Sequence, residues 1–554
     1  MSNDKKYYKK RFTELEQEAT DWKKLWAEVA EYTLPRSGRY LTSNTEQRND
    51  GKKKRQQIIN GIGADVIQII SASIQGGLTS PARPWFALSS SNEKLSEIGS
   101  VKEWLHIVQK AIMRVLSRSN FYNSLHQVYA ELANFGVCPM LIEEDEDTII
   151  RCRPFTIGEY YLSLNSKYRV DTMYRQFTMT ARQMVEKFGE DKVSATVKRA
   201  FKNDMKETDF EIIHVIEPNN DKVLDNDTAE GMEYSSIYFE KSGKQDKFLR
   251  KSGYNIMPFV APRWSVVGTD TYGDSPGINS LGDLKQLQKM EKLKLQAIEK
   301  EVFPAMNAPT ALKREGVSVV AGDVNYIDMG QGNQGITPTY QIKVDLQNLG
   351  MEIQNVENRI RRSYFNDLFL SMFAQDKRMT ATEVNERSQE RLLILGSVIE
   401  RIQSEMLDII IDRVFDIMYR KGLIPPPPQE LQGSDLKVEY ISMLAQAQKM
   451  VGVTAIEQIA GFVGNLAAAN PAVLDKLDFD QAVDEYAEMV GVPPAIIRSD
   501  DNVAKIRQAQ QQQAAQMQQQ EMLANSIQGA KTLSETKMNE NNALDALMGN
   551  QIQQ

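Results

Sequence analysis

Two glycine-spaced motifs are the first candidates for chemistry in this chain. Gly273-Asp-Ser275-Pro-Gly277 matches G-x-S-x-G, the turn that exposes a serine nucleophile in one class of hydrolases. In that class the backbone N–H after the serine helps to bind the oxyanion. Here that residue is Pro276, which has no N–H. His106, His126 and His214 all precede Ser275, whereas that fold places its histidine after the serine. The motif therefore reads as a turn into a helix. Gly330-Gln-Gly332-Asn-Gln-Gly335 matches G-x-G-x-x-G, the dinucleotide fingerprint. The fingerprint needs a helix opening on the last glycine, so that its N-terminus meets the pyrophosphate. Ile336-Thr-Pro338 follows instead and reads as extended, so a loop is expected.

Other chemistries fare no better. Cys138, Cys152 and the three scattered histidines have no metal-ligand spacing. The acidic run Glu143 to Asp147 lacks the glycine of a calcium loop and reads as a solvated hairpin tip. No G-x-x-x-x-G-K-[ST] sequence occurs, so no P-loop motor is encoded. The residues call for no cofactor, and no enzyme is expected. Basic clusters remain: Lys5-Lys6, Lys9 to Arg11, Lys52 to Arg55, then Arg359, Arg361 and Arg362, and Lys377-Arg378. The first three read as solvated faces.

Composition narrows the class. The chain has 554 residues, 41% hydrophobic and 25% charged, as in ordinary globular proteins. A net charge of −8 argues against a surface that attracts DNA as a whole. Two cysteines build no disulfide framework, which favours a reducing compartment. The N-terminus has no apolar signal region, and no uninterrupted apolar run is long enough for a membrane span.

Periodicity then places the elements. Residues 12–34 pattern as an amphipathic helix ended by Pro35; further helices fit 57–76, 101–118 and 121–135. A hairpin fits 137–152, and short β-like runs with one helix near 180–188 continue to 265. This is an α+β, helix-rich chain. Helices at 279–302 and 343–370 flank an extended, Gly/Pro-rich insertion, 303–342.

The most informative stretch follows. Thr380-Ala-Thr382-Glu383 is a capping box: the Thr380 hydroxyl accepts from the N3 N–H and Glu383 reaches back. Apolar residues from Val384 to Met418 recur mostly at three- and four-residue steps, and Gly422 with Pro425 to Pro428 stops the helix. Such a helix spans roughly 60 Å at 1.5 Å per residue, more than a small domain needs. Its stripe is wide enough to suggest assembly between chains. Short helices fit 435–500, and Gln508 to Gln520 dominate a tail expected to be helical against neighbours or disordered.

MTATEVNERSQERLLILGSVIERIQSEMLDIIIDRVFDIMYRKGLIP resembles the long-helix segment of the head-to-tail connecting (portal) proteins of short-tailed, double-stranded DNA phages. WKKLWAEVAEYTLPR, SASIQGGLTSPARPWFAL and PRWSVVGTDTYGDSPGINSLGDLKQLQKM agree in the same order, so the likeness covers about 10 to 430. The resemblance implies a wing at 1–278, a first stem helix at 279–302 and a clip at 303–342. It implies a second stem helix at 343–370, a channel loop at 371–379 and a long wing helix at 380–430. A crown at 431–507 and a C-terminal extension, barrel or disordered, at 508–554 follow by position only. It further implies a twelve-fold ring of about 750 kDa at the capsid vertex, through which genomic DNA is packaged and ejected. Implied partners are the terminase large subunit, the tail adaptor, and the major capsid and scaffold proteins; no membrane is implied. Assembly would take place in the host cytoplasm. Lys377, Arg378, Arg361 and Arg362 become candidates for DNA contact in the channel. An enzyme of DNA packaging, a nuclease or ATPase, is the alternative, but it needs clustered carboxylates or a P-loop. A scaffold protein would need heptads throughout.

Overall fold

The apolar stripe near the N-terminus is buried, but by two helices rather than one. The structure is a computed structural model. It describes residues 5–42, 58–90, 98–220, 231–242, 248–307, 345–366, 395–431, 436–440, 456–467, 471–490 and 500–535, with a few short pieces between, including 336–339. Helix α1 (Lys5–Glu18) and helix α2 (Thr20–Tyr32) meet at Ala19. The Thr20 hydroxyl donates to the Glu16 carbonyl at 3.1 Å, the back-bonding that bends helices. Tyr8, Phe12, Leu15, Trp26 and Val29 are buried on the inner face.

The chain divides into two units. The first comprises 1–89, 107–426 and 436–447; the second comprises 90–106, 427–435 and 448–554. In the first unit, strands β4 (Tyr160–Leu164), β5 (Val170–Thr180), β6 (Asp209–Pro218), β7 (Tyr234–Glu240) and β8 (Arg250–Tyr254) form an antiparallel meander in that order. One apolar cluster joins this sheet to α1 and α2. A second, on Phe177, Ile212 and Tyr238, is covered by the helices Ala181–Phe188 and Ala195–Lys202. The latter helix and β8 have no counterpart in the sequence reading. Both are short, and half of each is polar, so neither period stands out.

Strands β2 (Met140–Asp145) and β3 (Ile149–Pro154) form the expected hairpin, extended by β9 (Phe259–Val260). Its acidic tip is not simply solvated. Glu144 takes Arg420 at 2.7 Å, and the Asp145 carbonyl takes Lys421 Nζ at 2.9 Å. Strand β1 (Phe86–Ser90) pairs with a last strand, Leu436–Tyr440. Tyr440 stacks on Trp85 and donates to Asp408.

The described part of the long helix carries a wide turn. An α-helix Gly396–Ile402 passes through a π-helical turn, Gln403–Leu407, into a second α-helix, Asp408–Arg420. Val398, Ile402, Met406, Ile410 and Val414 repeat every four residues and are all buried. Steps of four drift about 40° per turn around a 3.6-residue helix. One widened turn returns the later residues to the same face. Gly422 ends the helix at φ +66°, as its place in the sequence predicts. From Leu395 on, where it is described, the stripe is covered within one chain, so its width there does not by itself require assembly. The capping-box residues Thr380, Thr382 and Glu383 lie outside the described residues.

In the second unit a helix spans Phe479–Val490, and the Gln-rich stretch is helical over Asp500–Glu535. Arg507 pairs with Asp480 at 2.5 Å. Among the described residues no helix is long and apolar enough to cross a membrane.

Glu131, in the helix Phe121–Phe135, is fully buried, and burial pushes its carboxyl up to about 7. The Ile157 N–H donates to it at 3.4 Å. Between about pH 4.5 and 7 the folded chain keeps a proton there that the unfolded chain has released. This contribution to stability is complete at the acid end and disappears as pH rises through about 7. His214 opposes it: burial lowers its imidazole far below the usual range, so acid favours the unfolded chain there. Subtraction isolates Glu131. The stability of the wild type relative to Glu131→Gln, measured by urea unfolding, should fall toward neutrality and level off above about pH 8. A flat difference would contradict the assignment.

Candidate nucleic-acid interface

Two helices occupy the stretches patterned as helical at 279–302 and 343–370. They are α8 (Leu281–Val302) and α9 (Leu346–Ser363), numbered with Ile62–Leu78 as α3, Gly99–Arg118 as α4, Phe121–Phe135 as α5, Ala181–Phe188 as α6 and Ala195–Lys202 as α7. They run antiparallel: Arg359, near the end of α9, meets Asp283, at the start of α8, at 2.9 Å. Short strands Met306–Asn307 and Thr337–Pro338 pair beyond their far ends.

The base of the pair is anchored. Leu284 and Leu287 of α8 and Ile353, Val356 and Ile360 of α9 are buried. The Gln288 amide accepts from the Ile59 and Asn60 N–H groups at 2.7 and 2.9 Å and donates to the Asn60 carbonyl at 2.8 Å. Asn60 in turn donates to Glu357 at 2.8 Å and Glu291 at 3.2 Å. So residues 59–60 tie both helices at one level.

The far half is different. Leu293, Leu295, Val302, Phe303 and Met306 are exposed, Phe303 by 77%. Leu346 and Met351 of α9 are exposed as well. Exposed apolar side chains on one projecting pair form a surface that a monomer gains nothing from keeping in water.

The sequence-predicted cations separate into groups. Arg361 is half-buried and Arg362 exposed in the last turn of α9, and neither has an ion-pair partner among the described residues. Arg359 is committed to Asp283 and Gln286. Lys377 and Arg378 lie outside the described residues. Sequence reasoning passed over Lys285, Lys289 and Lys292, all exposed at i, i+4 and i+7 on α8. Lys285 meets Glu28 at 2.5 Å, while Lys289 and Lys292 have no ion-pair partner among the described residues. Their spacing was visible in the sequence. The exposed amides Gln347, Asn348, Gln354, Asn355 and Asn358 add uncharged polar groups to α9 beside the exposed Glu352, Arg359 and Arg362.

Ser275 is no nucleophile. It is 1% exposed, its hydroxyl donates to the Asn134 carbonyl at 2.8 Å, and it accepts from the Ile278 N–H at 3.1 Å. It caps the single turn Pro276–Asn279 ahead of α8. Asn134 sits at the end of α5 and gathers other stretches. Its amide donates to Thr33 at 3.0 Å and accepts from Tyr364 at 3.3 Å. Trp26 donates to the Phe135 carbonyl at 3.1 Å, and the Trp264 N–H to the Gly136 carbonyl at 2.9 Å. Stretches 22–36 and 262–290, quoted above for their resemblance, thus meet at one helix end, just below the helix pair. They are a mounting rather than a reaction centre.

The remaining chemistry is quiet. Cys138 and Cys152 are buried free thiols, with Cys152 pushed up to about 12 by burial. Among the described residues no three His, Cys, Asp or Glu side chains group as a metal site. A depression of about 560 Å³ is lined by Arg153, Arg175 and Lys187. Two of these cations are already paired, Arg153 with Glu143 and Arg175 with Glu159.

Comparison with known proteins decides the family. The sequence model described as "Bacteriophage head to tail connecting protein" matches residues 5–497. The chain belongs to this family. Two relatives agree with this head-to-tail connector along nearly its whole length. The "Portal protein" of Salmonella phage epsilon15 is 42% identical over 540 residues, 97% of each chain. The "Probable portal protein" of Bordetella phage BPP-1 is 39% identical over 516 residues, 93% of this chain and 92% of that one. The connector is therefore a portal protein of a phage, and the packaging-enzyme alternative is not favoured.

Proposed function

We propose that the chain works as a ring, with twelve copies around an axis along which double-stranded DNA enters and leaves the capsid. The single observation that carries this reading is the α8–α9 pair. Its base is fastened by Gln288 and Asn60, while its far half exposes Leu293, Leu295 and Phe303. In a ring each copy would cover the next by heterologous contacts that close. The pair is then the stem, with 303–342 as the clip that meets the terminase large subunit and later the tail adaptor. Residues 1–278 and 380–430 form the wing, 371–379 the channel loop, and 431–507 with 508–554 the crown and its extension. The major capsid and scaffold proteins would surround the wing during assembly in the host cytoplasm, and the ring would end at the capsid vertex. The chain has no enzymatic role in this scheme. Negative-stain imaging of the purified protein tests it: rings with a central hole are expected, and a uniformly monomeric particle would refute it.

DNA would slide past without sequence reading. Lys377 and Arg378, with Arg361 and Arg362, would meet phosphates through contacts that weaken with salt. The net charge of −8 per chain would repel DNA elsewhere and keep it moving. Lys377→Ala with Arg378→Ala is expected to leave ring assembly intact and to lower retention of packaged DNA, scored as filled particles per infected cell. Normal packaging and retention would remove these two residues from the channel role while leaving the ring untouched.

A further inference from the structure

The PRW stretch at 262–264 has no role in the conduit as described so far, yet it touches both described ends flanking residues 367–394. On one side, the Arg263 guanidinium is 3% exposed and reaches Glu405 in the π-helical turn. Nη2 donates to Oε1 at 2.6 Å, Nε to Oε2 at 3.2 Å, and the Arg263 backbone N–H to Oε2 at 3.0 Å. The guanidinium also donates to the carbonyls of Tyr168 at 3.0 Å and Asp270 at 3.2 Å. Arg401 adds a fourth bond to Glu405 at 3.2 Å. On the other side, Trp264 is buried and stacks on Phe365, ring centroids 6.3 Å apart at 27°.

The exit from α9 is costly where Trp264 holds it. Phe365 has φ +56°, the left-handed region that a side chain with a Cβ rarely adopts. Asn366 is fully buried, and among the described residues both ends of its amide lack a hydrogen-bond partner. A backbone held like this persists only where its surroundings impose it. Tyr364, one residue earlier, is tied to Asn134, and Trp264 is tied to Gly136 two residues along the same loop. The stack therefore joins the strained exit to the rigid end of α5. At the other end, the π-helical turn interrupts the regular α-helical bonding. The bidentate Arg263 clamp holds Glu405 within that turn.

We infer that Arg263 and Trp264 are positioning residues for two described elements, Trp264 fastening the exit from α9 and Arg263 the π-helical turn of the long helix. Because they are consecutive, one short piece of backbone sets both ends at once. This deepens the conduit reading and rests on it for its consequence in DNA passage; the anchoring itself is measurable without rings or DNA.

The test is limited trypsin digestion of the purified full chain, read by mass spectrometry at two places. Cuts after Arg362 and Arg401 report on the two anchored ends, and cuts after Lys198 and Arg199 report on an unrelated helix. Glu405→Gln removes the charge from the clamp, and Trp264→Leu removes the stack. Each is expected to speed cleavage at Arg362 and Arg401 by about tenfold while leaving Lys198 and Arg199 unchanged, the signature of local rather than global opening. Equal acceleration at both places, no acceleration, or acceleration by only one variant would overturn the shared role. Should either variant fail to fold, Phe365→Leu, which weakens the stack and keeps the Arg263–Glu405 pair, and Glu405→Asp, which shortens the clamp and keeps its charge, are read in the same way. Absence of rings with a positive digestion result would sink the conduit reading and leave the anchor standing; the converse result would do the opposite.

Discussion

Ile410→Asp is expected to destroy the fold of the chain, not merely its assembly. Ile410 is 1% exposed at the start of the helix Asp408–Arg420. Its neighbours along the stripe, Met406 and Val414, are as fully buried. The buried cation nearest in sequence, Arg413, already pairs with Asp416 at 3.3 Å, and neither protonation state of the new carboxyl restores the lost apolar contact. The cost should be about 4 kcal/mol or more, against about 1 kcal/mol for Ile410→Val, which removes one methyl group. Urea unfolding of the soluble fraction measures both. The loss should be independent of protein concentration, because the stripe is covered within one chain. A variant that unfolds like the wild type but forms no rings would show that the stripe serves assembly after all.

Gly136→Ala should be nearly as damaging, for a backbone reason. Gly136 caps α5 at φ +83°, its N–H bonded to the Leu132 carbonyl. A Cβ there would lie 2.0 Å from the Gly273 carbonyl oxygen, and backbone cannot step aside as a flexible side chain does. The change strikes the point where Trp264, Asn134 and the Gly273–Gly277 turn are held together. We expect a loss of about 3 kcal/mol from strain and displacement combined. Gly422→Ala is the control. Gly422 also has positive φ, +66°, but nothing lies within 4 Å of its added Cβ. That substitution should cost only about 1 kcal/mol. If the two variants unfold alike, close approach is not what Gly136 provides.

Much of this was legible before any coordinates. Helix α5 falls where periodicity places it, and the hairpin read at 137–152 forms at 140–154, because its two apolar runs flank an acidic turn. The structural role of Ser275 followed from Pro276, since a missing N–H is a covalent fact. Gly422 as a helix stop needed only the αL preference of glycine. The family resemblance rested on ordered stretches, which comparison with relatives matches from end to end. The site was less legible. Lys289 and Lys292 were present as a pattern, but their exposure depends on which face of α8 the base of the pair buries.

What tertiary structure alone decided concerns where long-range partners meet. The width of the stripe on the long helix suggested contacts between chains, yet from Leu395 on the chain's own residues cover it. Amphipathicity records that a face is buried, not by what. The acidic hairpin tip read as solvated because its cations, Arg420 and Lys421, come from some 275 residues away, beyond the reach of any sequence window. Residues 262–264 were a recognisable string with no assigned work. Only folding brings Glu405 to Arg263 and Phe365 to Trp264, because hydrogen bonds and ring contacts depend on position in space and leave no period in the sequence. Element type is written locally, in dihedral preference and the spacing of apolar residues; the anchoring of those elements is a property of the packed chain.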